Sequence, residues 1–210
     1  RTGYKCPVVV KAAPVTGHLQ AFAEAVYRGN SARGFMMLFN VVAYGVTACS
    51  PQGGWRHFLQ RGNEWTATSR ATVVALSALF AEGASTLLHC VADNPYFNDT
   101  PFFGSLARGF QSHHDHPTGI VHLGWVDFLT KIDIGIVLLL LYVNIVLPTM
   151  PTTKRGFGGR AFLRSFALWT VPMLYLMMAT HRWAHALPTD LPLSVWALQR
   201  AGVFLSTSHH

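Results

Sequence analysis

Four long apolar stretches constrain the fold of this chain more than any other feature. They lie at residues 35–50, 71–91, 134–150 and 161–179. A helix needs about 20 mainly apolar residues to cross a bilayer, and its backbone polar groups must bond within the segment. The pattern therefore predicts an all-α integral membrane bundle of about four transmembrane helices. A shorter stretch, 193–205, mixes Trp196 and Arg200 with apolar residues, which predicts an amphipathic helix at the membrane interface.

The composition agrees with a membrane protein. Only 12% of the 210 residues are charged, whereas a soluble domain averages about 25%. The net charge of +7 comes from scattered Lys and Arg, so we expect anionic lipid headgroups, and no nucleic acid, as partners. The three cysteines form no C-x-x-C pair, which argues against a disulfide framework or a thiolate zinc site. The length predicts one membrane domain, 35–210, after an N-terminal extension, 1–34.

Histidine is the unusual residue, with eleven copies that mostly fall in groups. Glu82, His89 and Asp93 are spaced i, i+7, i+11, which places them within about 40° of one another on a helix. Ionisable groups on a membrane helix are functional candidates by default, although a polar crevice or a plain His–Asp hydrogen bond would also accommodate them. The other groups are His113-His114-Asp115-His116, the i, i+4 pair His181 and His185, and the final pair His209-His210.

The four predicted crossings place all of these groups at one face of the membrane. If each stretch crosses once, the loop after His89 and the segment after His181 fall on the same side. We expect Pro117 to end any helix that carries the second group. Imidazole and carboxylate ligands suit iron, copper or zinc. A closed zinc site uses four ligands, so seven or more candidates predict two metal ions.

The order of these motifs resembles the Kua/CarF family of membrane lipid desaturases. The matching residues, within 71–210, are Glu82-x2-Ser85-x3-His89-x3-Asp93, Phe110-x2-His113-His114-x2-Pro117-Thr118, His181-x-Trp183-x-His185 and His209-His210. The family includes plasmanylethanolamine desaturase and a plant plastid phosphatidylglycerol desaturase, and the run Pro117-Thr118-Gly119-Ile120 is closer to the former.

The resemblance implies a chemistry and a set of ligands. It implies two non-haem iron ions that activate O2, a cytochrome b5 or ferredoxin-type electron donor, and a membrane phospholipid or ether lipid as substrate. It implies the endoplasmic reticulum membrane in a eukaryote, or else a plastid or bacterial inner membrane. The metal ligands that it implies are His89, Asp93, His113, His114, His181, His185, His209 and His210.

The chain departs from the family pattern at a few positions. Glu82 stands where the family usually has Asp, Thr86 where it has Gly, and His116 where animal members have Asp. The last family motif continues with a further histidine pair beyond His210. We therefore expect the chain to be a C-terminally truncated piece that is inactive alone.

Other functions stay open. Ser85, His89 and the His181/His185 pair also resemble zinc-dependent membrane amide hydrolases of the alkaline ceramidase type, in which zinc would activate water. Those proteins have seven spans and leave the other histidine pairs without a role. A di-iron hydroxylase would use the same ligands as a desaturase. A metal-transport protein is a further alternative, but transporters place their ligands near the bilayer midplane, whereas only Glu82 is predicted there.

Overall fold

The computed structural model describes residues 30–51, 54–60, 65–100, 103–150, 159–204 and 206. Most of the predicted N-terminal extension, and the predicted ligands His209 and His210, lie outside the described residues. Within them, all regular structure is helical, as predicted. The helices are α1 (Asn30–Cys49), α2 (Trp55–Leu59), α3 (Ala67–Ala92), α4 (Gly104–Asp115), α5 (Gly119–His122), α6 (Trp125–Thr149), α7 (Gly159–His185) and α8 (Leu193–Arg200), with short 3-10 turns at Pro95–Asp99 and Pro188–Asp190.

Among the described residues, three helices are long and apolar enough to cross a membrane. These are α3, α6 and α7, with 26, 25 and 27 residues. The predicted stretch 35–50 falls largely in α1, which has 20 residues in all, and the part Arg33–Cys49 forms a shorter apolar helix. Three of the four predicted stretches thus lie in full-length candidate spans, and the first lies in the shorter apolar helix. Many large apolar side chains in the spans are exposed, as lipid-facing side chains would be, and they include Leu79, Leu87, Leu138 and Ile145.

Helix α3 has a defined start and a defined end. Its first turn is capped by Thr66, whose hydroxyl oxygen accepts a hydrogen bond from the Ser69 backbone N–H at 3.1 Å. It ends at Ala92, two residues before the dipeptide Asn94-Pro95, because the residue before a proline disfavours the helical conformation. The Asn94 side chain then accepts from the Tyr96 backbone N–H at 3.1 Å and starts the 3-10 turn. The span therefore ends where the first predicted ligands occur.

Helices α6 and α7 are irregular in different ways. In α6, helical segments at Trp125–Leu129, Asp133–Leu141 and Leu147–Thr149 are joined by a 3-10 turn, Thr130–Ile132, and a π-helical turn, Tyr142–Val146. Such π turns widen the backbone locally and are common at functional or tightly packed positions. Helix α7 continues through Pro172, whose ring removes one hydrogen-bond donor from the interior of the helix.

The chain divides into two compact units. One comprises Gly34–Glu82 and Gly124–His181. Its apolar core contains Ile136, Leu140 and Val143 of α6, packed with Ala167 and Val171 of α7. Polar side chains join its helices as well, since the Tyr44 hydroxyl donates to the Leu168 carbonyl at 3.0 Å.

The second unit contains Gly83–Leu123 and the chain from Arg182 onward. Its small buried residues are Ala92 at the end of α3, Ala107 in α4, and Ala184 and Ala186 at the end of α7. Small side chains at these positions let backbone segments approach closely. This unit holds most of the predicted metal ligands.

Candidate metal centre

The end of α3 brings together the first two predicted ligands. His89 lies in the last turn of the helix, and Asp93 is the first residue after it. Their side chains face each other, with His89 Nδ1 3.6 Å from Asp93 Oδ2. The same-face geometry predicted from the i, i+4 spacing is therefore confirmed for this pair. Glu82 is exposed on α3 and is not a member of the group.

Helix α4 supplies a third ligand to this pair. His114 lies in its last turn, and His114 Nε2 donates to Asp93 Oδ1 at 2.9 Å. The helix ends at Asp115, so the prediction that Pro117 lies beyond the end of the ligand-bearing helix is confirmed. One ligand atom from each of His89, Asp93 and His114 lies within 4.8 Å of the others. We refer to these three residues as the His-Asp cluster.

The His-Asp cluster is partly accessible and partly shielded by an aromatic ring. The relative exposure of the side chains is 28% for His89, 37% for Asp93 and 54% for His114. The Phe110 ring lies edge-on to the His89 ring, with centroids 4.8 Å apart. This contact covers one side of the imidazole with apolar surface and restricts its rotation, while the carboxylate side stays open to an ion.

The donor set of the cluster fits a transition metal ion. Two imidazoles and one carboxylate suit zinc, copper or iron, and two histidines with one carboxylate is the ligand set of many non-haem Fe(II) oxygenases. Metal–nitrogen bonds of about 2.1 Å allow two ligands on opposite sides of an ion to lie about 4.2 Å apart. The observed 4.8 Å limit is close to that separation, so small rotations of the side chains are enough to close the site.

The remaining predicted ligands have different positions. His113 precedes His114 in α4, and its side chain lies outside the described part of the structure. His181 and His185 are half-buried and lie one turn apart near the end of α7. The cluster found among the described residues does not include them. They therefore stay predictions, as do His209 and His210.

Hydrogen bonds fix the segments on either side of His185. The Arg182 guanidinium donates to the Val121 carbonyl at 2.6 Å and joins the end of α7 to α5. The Gln199 amide of α8 donates to the Trp183 carbonyl at 3.2 Å. The Trp183 ring stacks on Phe204, with centroids 6.1 Å apart. The chain that leads toward His209 and His210 is thus anchored on the motif that contains His185.

Two polar residues near the cluster were missed in the sequence. Gln111 lies one turn before His114, and Asn98 lies in the 3-10 turn between α3 and α4. Asn98 is the first residue of an N-x-T sequon, but its side-chain amide donates to Gln111 Oε1 at 2.8 Å. Because this contact joins two segments 13 residues apart in the chain, no spacing in the sequence points to it.

Comparison with known proteins places the chain among lipid desaturases. The family model described as "Lipid desaturase domain" matches residues 78–210. The chain is 26% identical, over 132 residues, to a protein of Arabidopsis thaliana named "Fatty acid desaturase 4-like 1, chloroplastic". That alignment covers 63% of this chain and 41% of the relative, so the chain spans less than half of that protein. No solved structure matches the chain.

Proposed function

The chain belongs to the lipid desaturase domain family, and on this basis we propose that it is the core of a membrane-bound di-iron desaturase. In this proposal the enzyme uses O2 to introduce a double bond into a chain of a membrane phospholipid or ether lipid. The observation that carries it is the His-Asp cluster, which joins His89 and Asp93 of a candidate span to His114 of another helix. The cluster lies inside the matched region, and its donor set suits Fe(II).

The cluster alone offers ligands for one ion. For a second ion we propose His113, His181, His185, His209 and His210, which lie in the same matched region. Bound iron would supply, with O2, the oxidising power that removes hydrogen from an unactivated carbon, which no side chain can supply. The protein would hold the ions at the membrane surface and orient their imidazole ligands, as Phe110 and Asp93 do for His89.

In this proposal the lipid substrate lies against the apolar surface of α3, where Leu79 and Leu87 are 68% and 65% exposed. An acyl chain is favoured by the name of the Arabidopsis relative, a fatty acid desaturase. In its finer form, the proposal is that the chain is a member of the Kua/CarF family and that its substrate is a plasmanylethanolamine.

The electron donor and the membrane follow from the same proposal. We propose a one-electron donor of the cytochrome b5 or ferredoxin type at the face that carries the histidines. The membrane would be the endoplasmic reticulum in a eukaryote, or else a plastid membrane or a bacterial inner membrane.

The first test is metal content. The complete protein that contains this chain would be purified in detergent and measured by plasma mass spectrometry. We expect about two irons per chain, and a large loss in His89→Ala/His114→Ala and in His181→Ala/His185→Ala. His57→Ala is the matched control, because His57 lies in α2, outside the family match, and should leave the iron content unchanged.

The second test is the lipid product. Membranes from cells that express the complete protein would be profiled for phospholipids and ether lipids that have lost two hydrogens, with and without O2. A new double bond that requires O2 and disappears in His89→Ala/His114→Ala supports the proposal and identifies the substrate branch. One zinc per chain, with no new double bond, would contradict it and favour the ceramidase-type hydrolase.

A further inference from the structure

The His-Asp cluster requires two segments to be held at a fixed separation. His89 and Asp93 lie at the end of α3. His114 lies in the last turn of α4, which begins at Gly104. The chain between them passes through the 3-10 turn Pro95–Asp99. His114 is 54% exposed, so burial of its own ring does little to fix its position. The contacts that fix α4 are made by residues that precede His114 in the helix.

Gln111 makes the contact that joins the two segments directly. Its amide nitrogen Nε2 donates to the carbonyl oxygen of Ala92 at 3.2 Å, and Ala92 is the last residue of α3 and is fully buried. The last carbonyls of a helix have no partner within the helix. A buried carbonyl without a partner is unfavourable, so a hydrogen bond from α4 favours the close approach of α4 to the end of α3.

Asn98 determines which end of the Gln111 amide faces α3. Asn98 Nδ2 donates to Gln111 Oε1 at 2.8 Å, which leaves the NH2 group of Gln111 directed at Ala92. Asn98 is itself held, because its carbonyl oxygen accepts from the Arg108 guanidinium. A Cβ at Gly104 would overlap the same carbonyl, so glycine is required for this close approach. Gly104, Arg108 and Gln111 follow i, i+4, i+7 spacing and therefore share one face of α4.

The position of Gln111 on α4 connects these contacts to the metal ligands. Gln111 precedes His114 by three residues, about one helical turn. A bond that fixes Gln111 against the end of α3 therefore fixes the height and rotation of the turn that carries His114. The result is the 2.9 Å contact between His114 Nε2 and Asp93 Oδ1. Outer contacts of this kind commonly change metal affinity about 10- to 100-fold.

We propose that Gln111, oriented by Asn98, is a positioning residue that sets the distance between His114 and the His89/Asp93 pair. It does not ligate a metal itself. The inference rests on the proposed metal site and adds a residue that acts on it through the backbone. It also gives the side chain of the N-x-T sequon a structural role, since a glycan on Asn98 Nδ2 would remove its bond to Gln111.

The test measures metal binding by the complete protein, purified without metal in detergent, with Co(II) as the probe ion. Co(II) affinity and the visible absorption of bound Co(II), which reports the number and kind of its ligands, would be compared for two variants. Gln111→Met keeps the length of the side chain but loses both hydrogen bonds. Gln111→Glu keeps an acceptor for Asn98 but has no donor for Ala92, and it serves as the second variant if Gln111→Met does not fold.

We expect both variants to bind Co(II) about 10- to 100-fold more weakly, with an altered absorption spectrum. The effect of Gln111→Glu should largely vanish in an Asp93→Asn background, because residues that act through one contact are not additive. Tyr44→Phe is the control for general loss of stability. It removes a comparable side-chain to main-chain hydrogen bond, to Leu168, and should leave the Co(II) affinity and spectrum unchanged.

The outcomes separate this inference from the function on which it rests. If His114→Ala weakens Co(II) binding but both Gln111 variants bind as the unaltered protein does, Gln111 is not a positioning residue and the metal site stands. If His114→Ala also binds Co(II) normally, the proposed metal site is wrong and this inference falls with it.

Discussion

Asp93 is the residue whose replacement best separates a metal-site function from a purely structural one. Its carboxylate contacts both histidines of the cluster, at 2.9 Å for His114 and 3.6 Å for His89. The Asp93 side chain is 37% exposed, and ion pairs of such exposure contribute only about 0–1 kcal/mol to stability. We therefore expect Asp93→Asn to change the free energy of unfolding of the metal-free protein by less than about 1 kcal/mol.

The effect of Asp93→Asn on metal binding should be much larger. The substitution keeps the shape of the side chain but removes the negative charge that would face a bound cation and accept from His114. Loss of an outer contact to a ligand costs about 10- to 100-fold in metal affinity, so loss of the Asp93 carboxylate should cost at least this much, which corresponds to about 1.4–2.7 kcal/mol. The two effects therefore differ in size and appear in different measurements.

The assay for Asp93→Asn combines two measurements on one preparation. Unfolding of the metal-free protein in detergent gives the stability, and competition with a chelator of known strength gives the Fe(II) affinity. Asp99→Asn, which removes an exposed carboxylate from the neighbouring 3-10 turn, should change neither. A destabilisation of several kcal/mol with unchanged Fe(II) affinity would refute the reasoning, since Asp93 would then hold the fold and not the ion.

Two further predictions concern polar contacts between the helices of the other unit. The Tyr175 hydroxyl of α7 donates to Asp133 Oδ1 of α6 at 2.8 Å, and Asp133 is 1% exposed. Tyr175→Phe should therefore lower the free energy of unfolding by about 1–3 kcal/mol. Thermal unfolding in detergent would measure this, and an unchanged stability would contradict the role of the bond. Asn144 of the π turn donates to the Ala43 carbonyl at 3.2 Å and to the Thr47 hydroxyl at 2.8 Å. Asn144→Leu should therefore lower the free energy of unfolding by a similar amount. The control Thr149→Val removes an exposed local hydrogen bond in the same helix and should leave the stability unchanged.

The sequence predicted the helical spans well because apolar runs report contact with lipid. It underestimated their length, because helices continue beyond their apolar parts. Helix α3 begins at Ala67, where Thr66 caps it, four residues before the predicted stretch. Helix α7 extends to His185, six residues past the end of its predicted stretch. Helix α1 likewise begins at Asn30, five residues before its predicted stretch.

The candidate site was only partly predictable, for a different physical reason. Grouping of His89 with Asp93 follows from local helix geometry, and the structure confirms it. The presence of His114 in the cluster depends on the position of α4. The sequence did not predict this helix, because it contains two glycines and no long apolar run. Its position comes from tertiary contacts, in particular those of Gly104 and Gln111 with the preceding turn. Such contacts leave no periodic pattern in a single sequence.

Three of the ligand candidates share one further feature, which is their position at the carboxyl ends of helices. His89, His114 and His185 lie in the last turns of α3, α4 and α7. A helix carries a partial negative charge at this end, which favours cations by about 0.3–1 kcal/mol where it is exposed. Helix ends also leave carbonyls that need partners, and here one of them is bonded by Gln111. A histidine site at such ends therefore gains a favourable field for a metal cation, and the contact that satisfies the backbone also sets the distance between ligands.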